Sequence, residues 1–291
     1  MLNNYTKRMY PLWGLAPGFI VYFVFFLIPF ITTFYYSFTS WDFYTAKFIG
    51  LSNYQDIVID PLMKIALKNT LIFTFVTGIA KVALGMGLAL FVNQKLKSSN
   101  FIRTVFFLPA VLNTIAVGIL FTAILHPTNG LLNQTLGNLH LNVFQLNWLT
   151  DIKLAIFSIA GIETWKWAGY NMVIILSGLQ SISKEYYESA EIDGASGSKR
   201  FWHITFPLIM PAFNVALVGN IIGGLRVFDL VAATTGGGPG RATEVLNTAI
   251  FENFGNNLQG LASAGNVVLT IFVAVTSIIT YVFIRRREVE L

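Results

Sequence analysis

Residues 181–207 read SISKEYYESAEIDGASGSKRFWHITFP and separate two apolar stretches. Ser183 stands where a helix N-cap belongs, since a hydroxyl there accepts from the free amides of the first turn. The run Lys184–Asp193 has the spacing of a short amphipathic helix. Glu185 and Glu188 fall in its first turns, where the helix dipole favours acids. Gly194 stops it, because the left-handed backbone that closes a helix end is cheap only for glycine. A second helix starts near Ser196 or Ser198 and runs toward the next apolar stretch. The result is a helix–turn–helix lying on a membrane face. Its tip is the small-residue corner Gly194-Ala195-Ser196-Gly197, which another protein can approach closely.

The membrane follows from composition. Of 291 residues, 55% are hydrophobic and 11% charged, with mean hydropathy +0.64, whereas a soluble domain carries roughly 25% charged residues. That excludes a globule with a charged shell, and equally a disordered chain. The 26 Phe and the leucine-rich runs need lipid as their sink. Crossing a hydrocarbon layer of ~30 Å takes about 20 apolar residues. Six stretches qualify: Leu12–Thr39, Thr70–Val92, Thr104–Leu125, Leu154–Leu179, Phe206–Leu230 and Leu261–Ile284. The first is too long for a signal h-region and has no small-residue cleavage site, so it reads as retained. Pro17 and Pro29 within it predict an irregular entry and a kink.

Orientation follows from the basic residues. Lys7, Arg8, Lys95, Lys97, Arg103, Lys184, Lys199, Arg200, Arg285, Arg286 and Arg287 fall on one side. Only Lys47, Lys64, Lys68, Lys153 and Arg241 fall on the other, with Lys81, Lys166 and Arg226 inside spans. The richer side is cytoplasmic, and both termini lie on it, as an even number of spans requires. The expected fold is an all-α polytopic membrane protein of six transmembrane helices. It divides into residues 1–69 (N-terminal segment, first span, outer loop), a core at 70–284 with the cytoplasmic loop 181–207, and a tail at 285–291. The net charge of +5 is thus mostly a topology label, not a nucleic-acid footprint. The run Gly236-Gly237-Gly238-Pro239-Gly240 in the last outer loop reads as a tight irregular turn.

Several chemistries are excluded. The chain has no Cys, hence no disulfide, Cys-based zinc site or thiol nucleophile. It carries no P-loop, H-E-x-x-H or G-x-S-x-G pattern, so it is neither an ATPase nor a recognisable hydrolase. His126, His140 and His203 lie on opposite membrane sides and cannot converge on a metal. Polar groups inside spans are expensive and mark candidate function. In the fourth span Glu163, Lys166, Trp167, Tyr170 and Asn171 lie on or near one face, while Trp165 is off it. Rings with a few hydrogen-bonding groups suit a sugar. Asn220, Arg226 and Asp229 in the fifth span and Asn266 in the sixth complete the candidate path. The alternatives are structural ion pairs, Glu163–Lys166 and Arg226–Asp229, that orient helices. Lys81 reads as a snorkelling or helix-packing charge. Gly219 and Gly223 form a small-x3-small pair, continued by Gly224, for close helix approach, within the chain or to a second subunit.

The pattern Glu188-Ser189-Ala190, three residues, Gly194, nine residues, Ile204, one residue, Phe206-Pro207 resembles the "EAA" loop of ABC-importer permeases, E-A-A-x3-G-x9-I-x-L-P. Ser189 and Phe206 depart from it while keeping size or apolar character. Glu191-Ile192-Asp193-Gly194-Ala195, Thr235-Gly236-Gly237-Gly238-Pro239, Phe48-Ile49-Gly50-Leu51-Ser52-Asn53-Tyr54 and Leu67-Lys68-Asn69-Thr70 resemble the carbohydrate-importing, maltose-transporter type. The resemblance implies a type I importer permease fold in a bacterial or archaeal cytoplasmic membrane. It implies a heterodimer with a second permease, two ATPase subunits that bind ATP and Mg, and an extracytoplasmic solute-binding protein. Glu188, Ser189, Ala190, Glu191, Ile192, Asp193, Gly194, Ala195 and Ser196 would then form the coupling helix that docks into the ATPase. The solute would be a sugar or oligosaccharide, with a glycerol phosphate as alternative, carried by alternating access. An ion-coupled secondary transporter would instead want an internal repeat, and none is visible.

Overall fold

The computed structural model describes residues 12–94 and 98–285. These are mostly helical, and among them the only extended pairing is an isolated antiparallel bridge between Thr39 and Phe48. The basic residues Lys7, Arg8, Lys95, Lys97, Arg286 and Arg287 lie outside the described residues. The chain divides into two compact units, Met1–Asp60 with Ile250–Thr270, and Pro61–Ala249 with Ile271–Leu291.

In the first unit a 3-10 turn, Leu12–Leu15, leads into helix α1, Ala16–Tyr36. Pro17 sits in its first turn, where a missing N–H is harmless. Residues Phe23–Leu27 open into a π turn, and the α register resumes at Ile28. The predicted irregularity at Pro29 therefore takes this form. Proline lacks the N–H for an α bond and its ring crowds the carbonyl four residues back, and the wider turn relieves both. After α1 the chain folds back to α2, Ser52–Ile59, and Asn53 donates its amide to the carbonyls of Ser37 and Thr39, each at 2.9 Å. In the intervening loop, the Asp42 carboxylate accepts from the Thr45 and Tyr44 amides and the Thr45 hydroxyl. The Thr45 backbone bond foremost holds its pKa below the usual carboxylate value.

The second unit holds α3 (Pro61–Val92), α4 (Ser99–Val111), α5 (Thr114–Ile124), α6 (Leu131–Asn138) and α7 (Ala155–Ser181). It continues with α8 (Lys184–Ile192), α9 (Gly197–Leu208), α10 (Met210–Leu225) and α11 (Asp229–Thr234). The long helices α3 and α7 pack side by side, and α4 and α10 flank them. One apolar cluster gathers Phe73, Ile159, Leu230 and Val245, and a second gathers Val82, Met172, Ile175 and Ile209. At Gly169 of α7 an added Cβ would collide with the Phe106 carbonyl of α4, so only glycine permits this crossing. Helices α12 (Leu246–Gly255) and α13 (Gln259–Arg285) follow.

Three of the apolar stretches appear as helices long enough to cross a membrane: Ala16–Tyr36, Pro61–Val92 and Gln259–Val282. Two others are broken. Thr104–Leu125 is no straight helix, since α4 and α5 meet at 95°. Pro109 lies inside the last turn of α4, which ends at Val111, and the Asn113 side chain caps the next helix by accepting from the Ile115 and Ala116 amides at 2.9 and 3.2 Å. The stretch Phe206–Leu230 bends by 66° between Leu208 and Met210, ends as helix at Leu225, and restarts at Asp229. Helix α7 matches the spans in length, with 27 residues, but Glu163, Lys166 and Asn171 dilute its apolar density.

Candidate functional site

Helix α7 presents Glu163, Trp167 and Tyr170 at positions i, i+4 and i+7, one stripe of a 3.6-residue helix. The stripe borders a cavity of about 420 Å³ whose opposite wall is Asn220, Gly219 and Gly223 of α10. Arg226 and Asp229 line its end, where the chain leaves α10 and enters α11. The Trp167 and Tyr170 rings lie 5.6 Å apart at 85°, with Tyr170 45% exposed. Two aromatic rings beside one carboxylate and one amide can stack on the C–H face of a ring and bond its hydroxyls.

The charges pair differently from either sequence alternative. Glu163 Oε1 accepts from Lys81 Nζ of α3 at 3.1 Å, and the side chains are 10% and 2% exposed respectively. Of the two readings of Lys81, the helix-packing charge is therefore the one found, and not the snorkelling one. Its signal was an acid and a base inside different spans, which can only stay charged by meeting. Lys166 turns away, its Nζ lying 4.3 Å over the Trp167 ring and 3.5 Å from the Ala110 carbonyl. Arg226 and Asp229 are both exposed and form no ion pair with each other among the described residues. Helix α10 ends at Leu225 and the next helix starts at Asp229, so no helical turn joins the two and the i,i+3 geometry is lost.

Asn171 and Asn220 clasp each other: Asn220 Nδ2 donates to Asn171 Oδ1 at 2.6 Å and Asn171 Nδ2 returns a bond at 3.3 Å. Asn220 also reaches the cavity, while Asn171 is behind it. Asn266 is an exposed residue of the other unit. A Cβ added at Gly219 or Gly223 would meet nothing within 4 Å, and both front the cavity, whereas Gly224 makes the close approach to Thr74 of α3. The packing glycine is therefore Gly224, the residue that continues the expected pair.

The charged segment folds as its sequence dictates. Ser183 Oγ accepts from the Glu185 amide at 3.4 Å, and Ser196 Oγ caps α9 through the Lys199 amide at 3.4 Å. Gly194 takes φ +69°, and the Ala195 amide reaches back to the Ala190 carbonyl at 2.9 Å, closing a Schellman-type end. Ala190 faces inward while Glu188, Ser189, Glu191 and Asp193 are exposed, and Ile192 at the tip is 88% exposed. Tyr187 and Thr205 share a hydroxyl bond of 3.0 Å, which fixes α8 to a π turn, Phe201–Thr205, inside α9.

The glycine-rich run is a closed turn built around Glu244. Gly236, Gly237 and Gly240 have positive φ, and a Cβ on Gly237 would strike the Glu244 carboxylate. That side chain is 2% exposed and accepts from Arg241 at 3.1 Å. The Thr235 and Thr243 hydroxyls bond at 2.6 Å, and Asn69 of α3 donates to the Glu244 carbonyl at 2.9 Å.

Residues 81–289 match the model of a family described as binding-protein-dependent transport system inner membrane component. The chain is 34% identical to the probable ABC transporter permease protein YurN of Bacillus subtilis (strain 168), over the whole of both. It is 35% identical to the arabinooligosaccharides transport system permease protein AraP of the same organism, covering 95% of this chain and 88% of that one. Its fold is similar to a chain in the crystal structure of a bacterial ABC transporter that imports the acidic polysaccharide alginate. There the TM-score is 0.84 at 23% identity, covering 98% of each chain.

Proposed function

Because the chain belongs to the family of binding-protein-dependent transport system inner membrane components, we propose that it carries a sugar or oligosaccharide across the cell membrane by alternating access. As a permease subunit it is multi-pass and not itself an enzyme. The observation that carries the solute reading is the α7 stripe Glu163–Trp167–Tyr170 facing Asn220 across an open cavity. The name of the arabino-oligosaccharide relative points the same way. Six spans, with both termini and the α8–α9 segment in the cytoplasm, complete the reading, and residues 70–284 form the core.

The segment Glu188–Ser196 is the ATPase docking element, its acids and Ile192 meeting an ATPase cleft. Two ATPase subunits hold ATP and Mg. A second, homologous permease completes the channel, and an extracytoplasmic binding protein delivers solute. When the ATPases close, the rigid α8–α9 element moves, and α10 follows through the bend between Leu208 and Met210. Arg226, lacking an ion-pair partner among the described residues, keeps a glycerol phosphate as the second reading.

The test is uptake into proteoliposomes holding the assembled complex and binding protein. ATP-dependent accumulation of an oligosaccharide is expected. Uptake driven by an ion gradient without ATP would overturn the reading.

A further inference from the structure

Lys81 and Glu163 both line the cavity, and both side chains are buried, at 2% and 10% exposure. Only one carboxylate oxygen, Oε1, is used by Lys81, and among the described residues no hydrogen bond engages Oε2. Nor, among the described residues, does a hydrogen bond engage the Trp167 indole N–H or the Tyr170 hydroxyl. Lys166 forms no ion pair with Glu163 among the described residues, its Nζ lying over Trp167 and toward the Ala110 carbonyl. The remaining charges on the cavity, Arg226 and Asp229, enter from the α10–α11 junction.

Resting on the solute reading above, we propose that Lys81 is a positioning residue. It fixes the Glu163 carboxylate with Oε2 turned to the cavity, so that a neutral saccharide can donate hydroxyls to it while stacking on Trp167. The pair leaves Oε2 without a hydrogen bond among the described residues, on a side chain that lines the cavity. A carboxylate already oriented loses no rotamer freedom when the sugar arrives, which is where the affinity gain originates.

The experiment measures uptake of tritiated arabinotriose, maltotriose and raffinose by the complete complex in proteoliposomes. It compares wild type, Lys81→Gln, Lys81→Arg and the swap Lys81→Glu with Glu163→Lys, with assembled complex quantified by size exclusion. Lys81→Gln should raise KM about tenfold, the size of one hydrogen bond to a charged acceptor, with Vmax per assembled complex retained. Lys81→Arg should restore KM. The swap keeps a buried pair but moves the acid to α3, so it should assemble and still show the raised KM.

A wild-type KM in the swap or in Lys81→Gln would overturn the proposal, as would a Vmax loss at constant KM. Should Lys81→Gln not assemble, the swap alone decides. Failure of both to assemble would make the pair a packing requirement and also overturn it. Wild type taking up none of the three sugars would instead sink the oligosaccharide reading, and this inference with it.

Discussion

Gly194 takes a φ of +69° with nothing within 4 Å of where a Cβ would stand. A substitution there meets no neighbour, so its cost is backbone strain alone, about 1–2 kcal/mol for an L-residue in the left-handed region. Gly194→Val should leave membrane insertion intact and weaken ATPase co-purification about tenfold, read by pull-down of the ATPase subunit. Asp42 offers a different residue-scale test. Its folded pKa is lowered by the Thr45 and Tyr44 amides. Bonds that depress a folded pKa stabilise the turn above the unfolded value, about 3.9, and are lost as pH falls through the folded one. Protection of the Thr45 amide from hydrogen exchange should therefore persist through neutral and mildly acidic pH. It should disappear only below the ordinary carboxylate range.

At the scale of elements, both π turns end two residues before a proline: Phe23–Leu27 before Pro29 and Phe201–Thr205 before Pro207. The missing N–H and the crowding ring explain both. The 95° corner at Leu112 and Asn113 depends on a cap instead, so Asn113→Ala should cost about 1 kcal/mol and lower the Tm of the purified protein. These features separate what the sequence displays from what it hides. Apolar runs marked where helices lie, because burial in lipid depends only on summed hydrophobicity over a turn or more. The corners escaped, because a cap or a slipped register is decided by single residues that such a sum averages away. The α7 stripe and the Ser183–Gly194 helix were legible, since their spacing is local to one helix. The Lys81–Glu163 pair was not, because its partners are 82 residues apart and only the packing of α3 on α7 brings them together.

For the whole molecule, the absence of cysteine turns the proposed topology into a direct measurement. Val143 and Ile192 are each 88% exposed, one in the loop before α7 and the other at the tip of α8. A membrane-impermeant maleimide added to intact cells should label Val143→Cys and spare Ile192→Cys, which should react only after permeabilisation. The reverse pattern would invert the permease. Two connections of the second unit, outward in the proposed topology, also differ in a way their composition disguises. Residues 139–146 are exposed throughout, whereas 235–244, rich in glycine, close around the buried Glu244 carboxylate. Cleavage needs an extended backbone that a protease can thread. External proteinase K should therefore cut between 139 and 146 first and leave the glycine run whole. Replacing Glu244 by Ala, which empties the turn, should turn that run into the new first site of cleavage.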